Sequence, residues 1–172
     1  GVYGTLINCT LTGNTADYGG GAYYCNLTNC TLTGNETQFG AGSALYCNLN
    51  YCTLTGNYGG ARNCVLNNCT LTGNYNSARE CVLNNCILTR IFGVAAIYCR
   101  LNNCIAYYNA VNYESCTLNY CCTTPLPPCG IGNLTNEPAF VDLAAGNLRL
   151  QPDEEPRRLF ASLHQQVVGL LQ

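Results

Sequence analysis

The sequence feature that most constrains the fold is a seven-residue motif, Asn-Cys-Thr-Leu-Thr-Gly-Asn, that returns along the chain. It occupies Asn29 to Asn35, and it recurs with small changes at Asn8 to Asn14, Tyr51 to Asn57, Asn68 to Asn74, Asn85 to Arg90 and Asn103 to Tyr108. Self-similarity at a regular interval is typical of repeat proteins, in which each unit stacks on the next. The motif therefore predicts a stacked architecture before any local propensity is considered.

The complete repeat carries two cysteines and two leucines, as in Cys25-Leu27-Cys30-Leu32. Seven units follow one another at intervals of 17 to 22 residues, the first being a half-copy with Gly4 at the first cysteine position. The first leucine is present in every unit: Leu6, Leu27, Leu49, Leu66, Leu83, Leu101 and Leu118. This unbroken register predicts that the leucines form one interior stack.

Within each unit, apolar and polar residues alternate. Cys30 and Leu32 share one face of their segment, while Thr31 and Thr33 share the other, which is the pattern of a half-buried strand. Polar pairs such as Thr28-Asn29, and Gly-Asn pairs such as Gly34-Asn35, separate these short strands. Asn and Gly accept the left-handed conformation that a tight corner needs. Three short strands and three corners would then make one coil of a parallel solenoid.

The register accounts for thirteen of the 15 cysteines and predicts two interior columns of thiols, reduced or bonded only to stack neighbours. The first cysteine column comprises Cys25, Cys47, Cys64, Cys81, Cys99 and Cys116, and the second comprises Cys9, Cys30, Cys52, Cys69, Cys86, Cys104 and Cys121. Cys122 and Cys129 lie outside the columns. Their position around a proline-rich bend predicts a disulfide between them.

The composition changes after Thr124, because all six prolines lie between Pro125 and Pro156. We therefore divide the chain into β-helix coils over residues 1–124 and a C-terminal cap over 125–172. Within the cap, 138–142 and 148–152 are predicted to be two last strands around a Gly146-Asn147 turn. From Glu154 to Gln172 the apolar spacing becomes helical, which predicts a short capping helix.

The charge and the hydropathy exclude several classes of partner. The 172 residues carry a net charge of −2, and only 9% are charged, so the chain lacks the basic footprint of a nucleic-acid-binding protein. No run of 18 apolar residues is present, so no membrane span is expected. The cysteine content favours an extracellular or cell-surface location, although a buried thiol stack suits any compartment.

The repeat resembles those of bacterial secreted right-handed parallel β-helix proteins of the pectate-lyase-like superfamily. The resemblance rests on the pattern Gly-Gly-Gly-Ala-x-x-Cys-x-Leu-x-Asn-Cys-Thr-Leu-Thr-Gly-Asn and covers about residues 1–124. The stretch from Glu137 to Pro152 is similar to the segment that closes many such helices. The resemblance implies an all-β, right-handed parallel β-helix of about seven coils and export from the cell. It implies little about activity, because the superfamily contains lyases, hydrolases and adhesins.

Catalytic and metal-binding interpretations have little support in the sequence. The coils contain four acids, Asp17, Glu36, Glu80 and Glu114, and no two share a position in adjacent coils, whereas glycosidases need paired carboxylates. Glu80 follows Arg79 and stacks beside Arg62, which predicts a surface ion-pair cluster. The spacing Cys-x₄-Cys is not that of a zinc finger. We therefore expect no enzymatic activity, no cofactor and no metal.

The outward threonines are the candidate binding residues. Eight of them form two columns over the first four coils: Thr10, Thr12, Thr31, Thr33, Thr53, Thr55, Thr70 and Thr72. Their hydroxyls would lie about 7 Å apart along a strand and about 4.8 Å apart between coils. Such a two-column array resembles the ice-binding face of insect β-helical antifreeze proteins, but Thr also suits any exposed strand. The array is expected to end near the fifth coil.

These observations predict a non-enzymatic extracellular β-solenoid that serves as a structural spacer, an adhesin segment or a fibre subunit. The first alternative is an ice- or crystal-surface-binding protein, and the second is a β-helix that binds or cleaves polysaccharide. Exposed tyrosines could contact a glycan or another surface ligand: Tyr18, Tyr23, Tyr24, Tyr46 and Tyr58. The first coil shows no shielding element, which predicts end-to-end self-association through the N-terminal edge.

Overall fold

Most of the short strands are three residues long and place one inward residue, usually a leucine, between two outward residues. The computed structural model describes residues 3–38 and 42–151. Its first sheet contains seven parallel strands: Thr5–Ile7, Asn26–Thr28, Asn48–Asn50, Val65–Asn67, Val82–Asn84, Arg100–Asn102 and Thr117–Asn119. Leucine pairs with leucine at every step, from Leu6 with Leu27 to Leu101 with Leu118. The predicted leucine stack is therefore present.

The second sheet carries the motif itself and again has seven parallel strands. They are Thr10–Thr12, Thr31–Thr33, Thr53–Thr55, Thr70–Thr72, Ile87–Thr89, Ile105–Tyr107 and Cys122–Thr123. Its inward residues are Leu11, Leu32, Leu54, Leu71, Leu88 and Ala106, and those from Leu32 onward are buried. Each strand pairs with its equivalent one coil away.

The third side of the solenoid is less regular, because the segments that return to the next coil differ in length. Five parallel strands pair there: Ala22–Tyr23, Ala44–Leu45, Gly59–Arg62, Asn76–Arg79 and Ala96–Ile97. Thr15–Ala16 also pairs with Glu36–Thr37 in parallel. The small residues Ala22, Ala44, Ala61, Ala78 and Ala96 are buried here, so this side packs closely against the leucines. The chain is thus the all-β right-handed parallel β-helix that the repeat predicts.

The three corners of each coil depend on residues with positive φ. Asn29 and its equivalents turn between the first two sheets with φ between 53° and 58°, and Gly34 and its equivalents make the next corner. The glycine position is filled by Arg90 and Tyr108 in the fifth and sixth coils. Tyr24, Tyr46 and Tyr98 hold the same conformation at the third corner. Left-handed φ is unfavourable for a tyrosine, so the stacked neighbours must impose it.

The end of the solenoid is closed by the chain itself. Tyr120 donates its backbone N–H to the Ile131 carbonyl, and Leu134 donates its own to the Cys121 carbonyl. The Asn133 side chain accepts a hydrogen bond from the Cys121 backbone and donates one to the Leu118 carbonyl. These contacts supply the last coil with the partners that a further coil would have offered.

The cap continues as an antiparallel hairpin of Phe140–Asp142 and Asn147–Leu150. Phe140 and Leu148 pack on the outward residues Ile87, Ile105 and Cys122 of the second sheet and form a second, smaller core with them. The two last strands predicted around Gly146 are therefore confirmed. The predicted helix over 154–172 lies outside the described residues. Within the part that the structure describes, no helix is long and apolar enough to cross a membrane.

Candidate functional site

The eight candidate threonines lie side by side on the second sheet, and we call them the threonine face. Thr10, Thr31, Thr53 and Thr70 pair in one column, and the second column runs through Thr12, Thr33, Thr55 and Thr72. Thr10 and Thr12 are exposed, and the other six are half-buried. The parallel register fixes the separation between columns and between coils, so the face is periodic in two directions.

The threonine face stops at the fifth coil because the hairpin covers the sheet from there onward. Ile87 continues the first column and is 6% exposed, whereas Thr89 continues the second and is fully buried. The Thr89 hydroxyl has no hydrogen-bond partner among the described residues. The sequence predicts the end of the array from the change of residue type. In the structure, Ile87 at that position packs with Phe140 and Leu148 of the hairpin.

A groove of about 780 Å³ runs beside the hairpin and across part of the threonine face. Its lining includes Thr31, Thr53 and Thr70 together with the aromatic residues Phe92 and Tyr108. The described lining residues contain no Asp or Glu. Among its described lining residues, the groove thus offers hydroxyl groups and ring surfaces but no carboxylate.

Sequence reasoning missed this groove because the residues that border it break the repeat. Arg90 takes the place of a corner glycine, and its guanidinium donates hydrogen bonds to the carbonyls of Leu143 and Ala144, at 3.1 and 3.4 Å. These bonds hold the hairpin turn against the fifth coil. The replacement of Gly by Arg at that corner is visible in the sequence and marks an irregular coil. The repeat does not indicate which segment the arginine binds.

The exposed tyrosines form ladders. Tyr24 stacks on Tyr3 with ring centroids 5.2 Å apart, and on Tyr46 at 4.8 Å, with interplanar angles of 7° and 18°. Tyr58 and Tyr75 make a second ladder at 5.2 Å. Rings stacked on each other cover their own faces, and a sugar ring would need those faces for stacking. The ladders therefore present edges and hydroxyl groups, which disfavours the expectation that these tyrosines stack on carbohydrate.

The acids of the coils do not converge. Asp17, Glu36 and Glu114 are exposed, and each lies in a different coil. The predicted ion-pair cluster is confirmed, because Glu80 lies 3.3 Å from Arg62 Nε and 3.4 Å from Arg79 Nε. Partial burial opposes ionisation there, but the two guanidinium groups outweigh it and lower the pKa of Glu80. A carboxylate held in this way at the surface remains ionised and is poorly suited to proton transfer.

All fifteen cysteines are free thiols in the structure. Within the columns the thiols are buried, apart from Cys9 and Cys116 near the ends. Each Sγ donates a hydrogen bond to the carbonyl two residues earlier, as Cys47 does to Leu45 at 3.2 Å. Many also accept one from the backbone N–H of the neighbouring coil, as Cys64 does from Cys47 at 3.3 Å. Burial raises the pKa of Cys86, so this thiol is protonated at neutral pH.

The two cysteines outside the columns are not bonded to each other. Cys122 is buried beneath the hairpin and donates to the Asn136 carbonyl at 3.1 Å, whereas Cys129 is exposed. The structure therefore does not contain the predicted disulfide between Cys122 and Cys129. The reason is that Cys122 belongs to the last strand of the second sheet and points outward into the smaller core.

Comparisons with known proteins identify no family for this chain. No protein-family description matches it, and no curated protein does. Among solved structures, full-length QnrB1, a plasmid-mediated fluoroquinolone resistance protein, is 12% identical over 98% of this chain and 100% of its own, with a TM-score of 0.33. A trypsin-treated form of QnrB1 is also 12% identical, over 98% of this chain and 97% of its own, with a TM-score of 0.26. Scores this low carry no information about function.

Proposed function

We propose that this chain is a non-enzymatic β-solenoid that acts as a rigid structural element, as a spacer, an adhesin segment or a fibre subunit. The observation that supports this most directly is the continuity of the ladders between coils. Leucines, cysteines, asparagines and tyrosines each contact their equivalents in the next coil, so successive coils are joined on every side.

The asparagine ladder contributes most clearly to this rigidity. Asn57 accepts hydrogen bonds at its Oδ1 from the backbone and the side chain of Asn35, at 2.8 and 3.2 Å. Its amide donates to Asn74 at 3.0 Å and to the Leu32 carbonyl at 3.0 Å. Asn35, Asn57 and Asn74 are fully or almost fully buried. Buried amides whose partners lie in adjacent coils fix the register between coils, because a slip would leave them unsatisfied.

An activity assay tests the non-enzymatic part of the proposal. We expect no reducing ends and no unsaturated products from a panel of neutral and acidic glycans, with or without calcium. Turnover that disappears in Glu80→Gln or Arg79→Ala, but persists in the matched surface variant Glu114→Gln, would overturn it. We also propose an extracellular or cell-surface location, which the cysteine content favours. Cell fractionation tests it, and recovery of the chain only from the cytoplasm would contradict it.

The threonine face supports a second candidate function, which is binding to ice or to another ordered surface. Eight hydroxyls in two straight columns present a lattice that a repeating surface can match. We expect thermal hysteresis or ice shaping that is lost in Thr33→Tyr and Thr55→Tyr. Thr117→Tyr is the matched control, because Thr117 is also an exposed strand threonine but lies on the first sheet. No effect of the unmodified chain on ice would remove this candidate.

The groove beside the hairpin supports the glycan alternative in a restricted form. Its hydroxyl-bearing wall and the rings of Phe92 and Tyr108 suit a neutral sugar chain, which pairs hydrogen bonds with contacts to ring faces. Binding of neutral oligosaccharides that is weakened by Phe92→Ala and retained in Tyr58→Ala would support it. Equal loss in the two variants would indicate nonspecific contact with exposed aromatic rings.

A further inference from the structure

The two cysteine columns hold their sulfur atoms at a spacing that suits one kind of ligand. Every thiol of the first column donates to the carbonyl two residues earlier, at 3.1 to 3.3 Å, so all six have the same orientation. The second column repeats this arrangement at 3.2 to 3.3 Å. Equivalent sulfurs in adjacent coils are therefore separated by one strand spacing, about 4.8 Å.

This spacing disfavours a disulfide between stack neighbours. In a disulfide the two Cβ atoms lie about 3.5 to 4.5 Å apart, whereas side chains repeated by a parallel register keep their Cβ atoms about 4.8 Å apart. A metal ion midway between two sulfurs has a different requirement. With metal–thiolate bonds of about 2.3 Å, a straight S–metal–S unit spans about 4.6 Å.

The hydrogen bonds around the thiols permit the proton to be replaced. The carbonyl that accepts the Cys47 thiol already accepts the backbone N–H of Tyr24, and the one that accepts the Cys64 thiol accepts that of Tyr46. Loss of the S–H proton therefore leaves neither of these two carbonyls without a partner. The sulfur also keeps a donor, since the Cys47 N–H lies 3.3 Å from Cys64 Sγ. Amide hydrogen bonds to sulfur favour its anionic, metal-binding form.

We propose that neighbouring thiols within each cysteine column bind soft divalent cations in linear two-coordinate fashion, as mercury(II) does. Two thiols lose their protons to solvent, and two metal–sulfur bonds form without any change of oxidation state. The resulting unit is neutral, which suits a low-dielectric interior where an uncompensated charge would be costly. Among the described residues no three Cys, His, Asp or Glu converge on one point, so sites of higher coordination number are not formed.

The number of metal ions that each column binds should depend on whether its number of thiols is odd or even. Six cysteines in the first column make three separate pairs, and seven in the second make three pairs with one thiol left over. The folded, reduced protein should therefore bind six ions. Cys116→Ala leaves five thiols in the first column and should remove one ion. Cys9→Ala leaves six in the second column and should remove none.

The experiment titrates the reduced chain with mercury(II) in a Cys129→Ala background, so that the exposed thiol outside the columns is absent. Native mass spectrometry counts the ions, proton release reports two protons per ion, and X-ray absorption reports two sulfurs at about 2.3 Å. Circular dichroism follows the fold during the titration. Equal loss of ions in Cys116→Ala and Cys9→Ala, a third ligand on the metal, or unfolding on metal binding would each overturn the proposal.

Discussion

At the scale of single residues, this fold depends on whether a side chain points into the solenoid or away from it. Leu66 is fully buried, whereas its strand neighbour Val65 is 37% exposed. Both residues are apolar and lie in the same strand, but they occupy opposite faces of it. Neighbouring positions therefore have very different tolerance for polar substitution.

Leu66→Asp should unfold the middle coils. The change removes a contribution of about 1.5 to 3 kcal/mol from burial of the leucine and places an unpaired carboxylate in the core. The matched variant Val65→Asp adds the same charge on the outside of the same strand, and it should cost less than about 1 kcal/mol. Urea unfolding followed by circular dichroism measures both free energies, and similar losses would contradict the inward stack.

The buried Cys122 thiol should make the protein less stable at high pH. Burial raises the pKa of Cys122 to about 12, against about 8.5 for an unfolded thiol. The folded state holds this proton more tightly, so the stability it confers is complete below about pH 8.5 and is lost as the pH rises towards 12. At pH 10 the loss from this residue should be about 2 kcal/mol.

Two alanine variants isolate this effect from the other titrating groups. Cys122→Ala should make the free energy of unfolding fall less steeply between pH 8 and pH 10. Cys129→Ala removes an exposed thiol and should leave the slope unchanged. Identical slopes in the two variants would show that Cys122 is not a source of the pH dependence.

At the scale of elements, the hairpin decides how much of the second sheet is available to solvent. Phe140 and Leu148 cover Ile87, Ile105 and Cys122, and Arg90 holds the turn. The threonine face is thus the part of that sheet that the hairpin leaves uncovered. Any ligand of the face would meet the hairpin and the Arg90 corner at one end.

Phe140→Asp should release the hairpin while the coils stay folded. The buried ring packs on residues outside the main interior, so the loss should be confined to the smaller core. The Cys122 thiol should then react with a thiol reagent, and amide exchange should rise over 139–151. Val141→Asp is the control, since Val141 is 49% exposed on the same strand. An unreactive Cys122 in Phe140→Asp would contradict the hairpin's role as a cover.

At the scale of the whole molecule, the two ends of the solenoid differ. Among the described residues, the strands Thr5–Ile7 and Thr10–Thr12 each pair with a strand on one side only, and Leu6, Cys9 and Leu11 are half-buried there. Residues 131–134 close the other end. We therefore propose that association of the 172-residue chain joins two N-terminal edges, because an unpaired strand edge accepts another chain.

Light scattering should detect this association as a concentration-dependent rise in mass. Ile7→Lys should abolish it, because it places a charge on the exposed edge strand, where Ile7 is 60% exposed. Ile131→Lys, at a residue 59% exposed near the closed end, should have no effect. A monomer at high concentration, or equal effects of the two variants, would contradict the proposal.

The repeat alone determined the architecture of the coils. Leu27 and its equivalents, the Asn and Gly corners and the register of the cysteines follow from a period that each unit repeats, so local pattern and tertiary contact carry the same information. A residue in a solenoid contacts the equivalent residue of the next coil. The neighbours of Leu49 and Cys52 could therefore be predicted from the sequence alone.

The tertiary structure decided everything that departs from that period. Arg90 binding the hairpin turn, the burial of Thr89 and the separation of Cys122 from Cys129 join segments that are distant in sequence and share no repeat. The stacking of Tyr24 between Tyr3 and Tyr46 likewise depends on side-chain orientation at a positive-φ corner. Contacts between non-equivalent segments depend on how those segments pack in three dimensions. The repeat pattern contains no information about them, because these segments do not share its period.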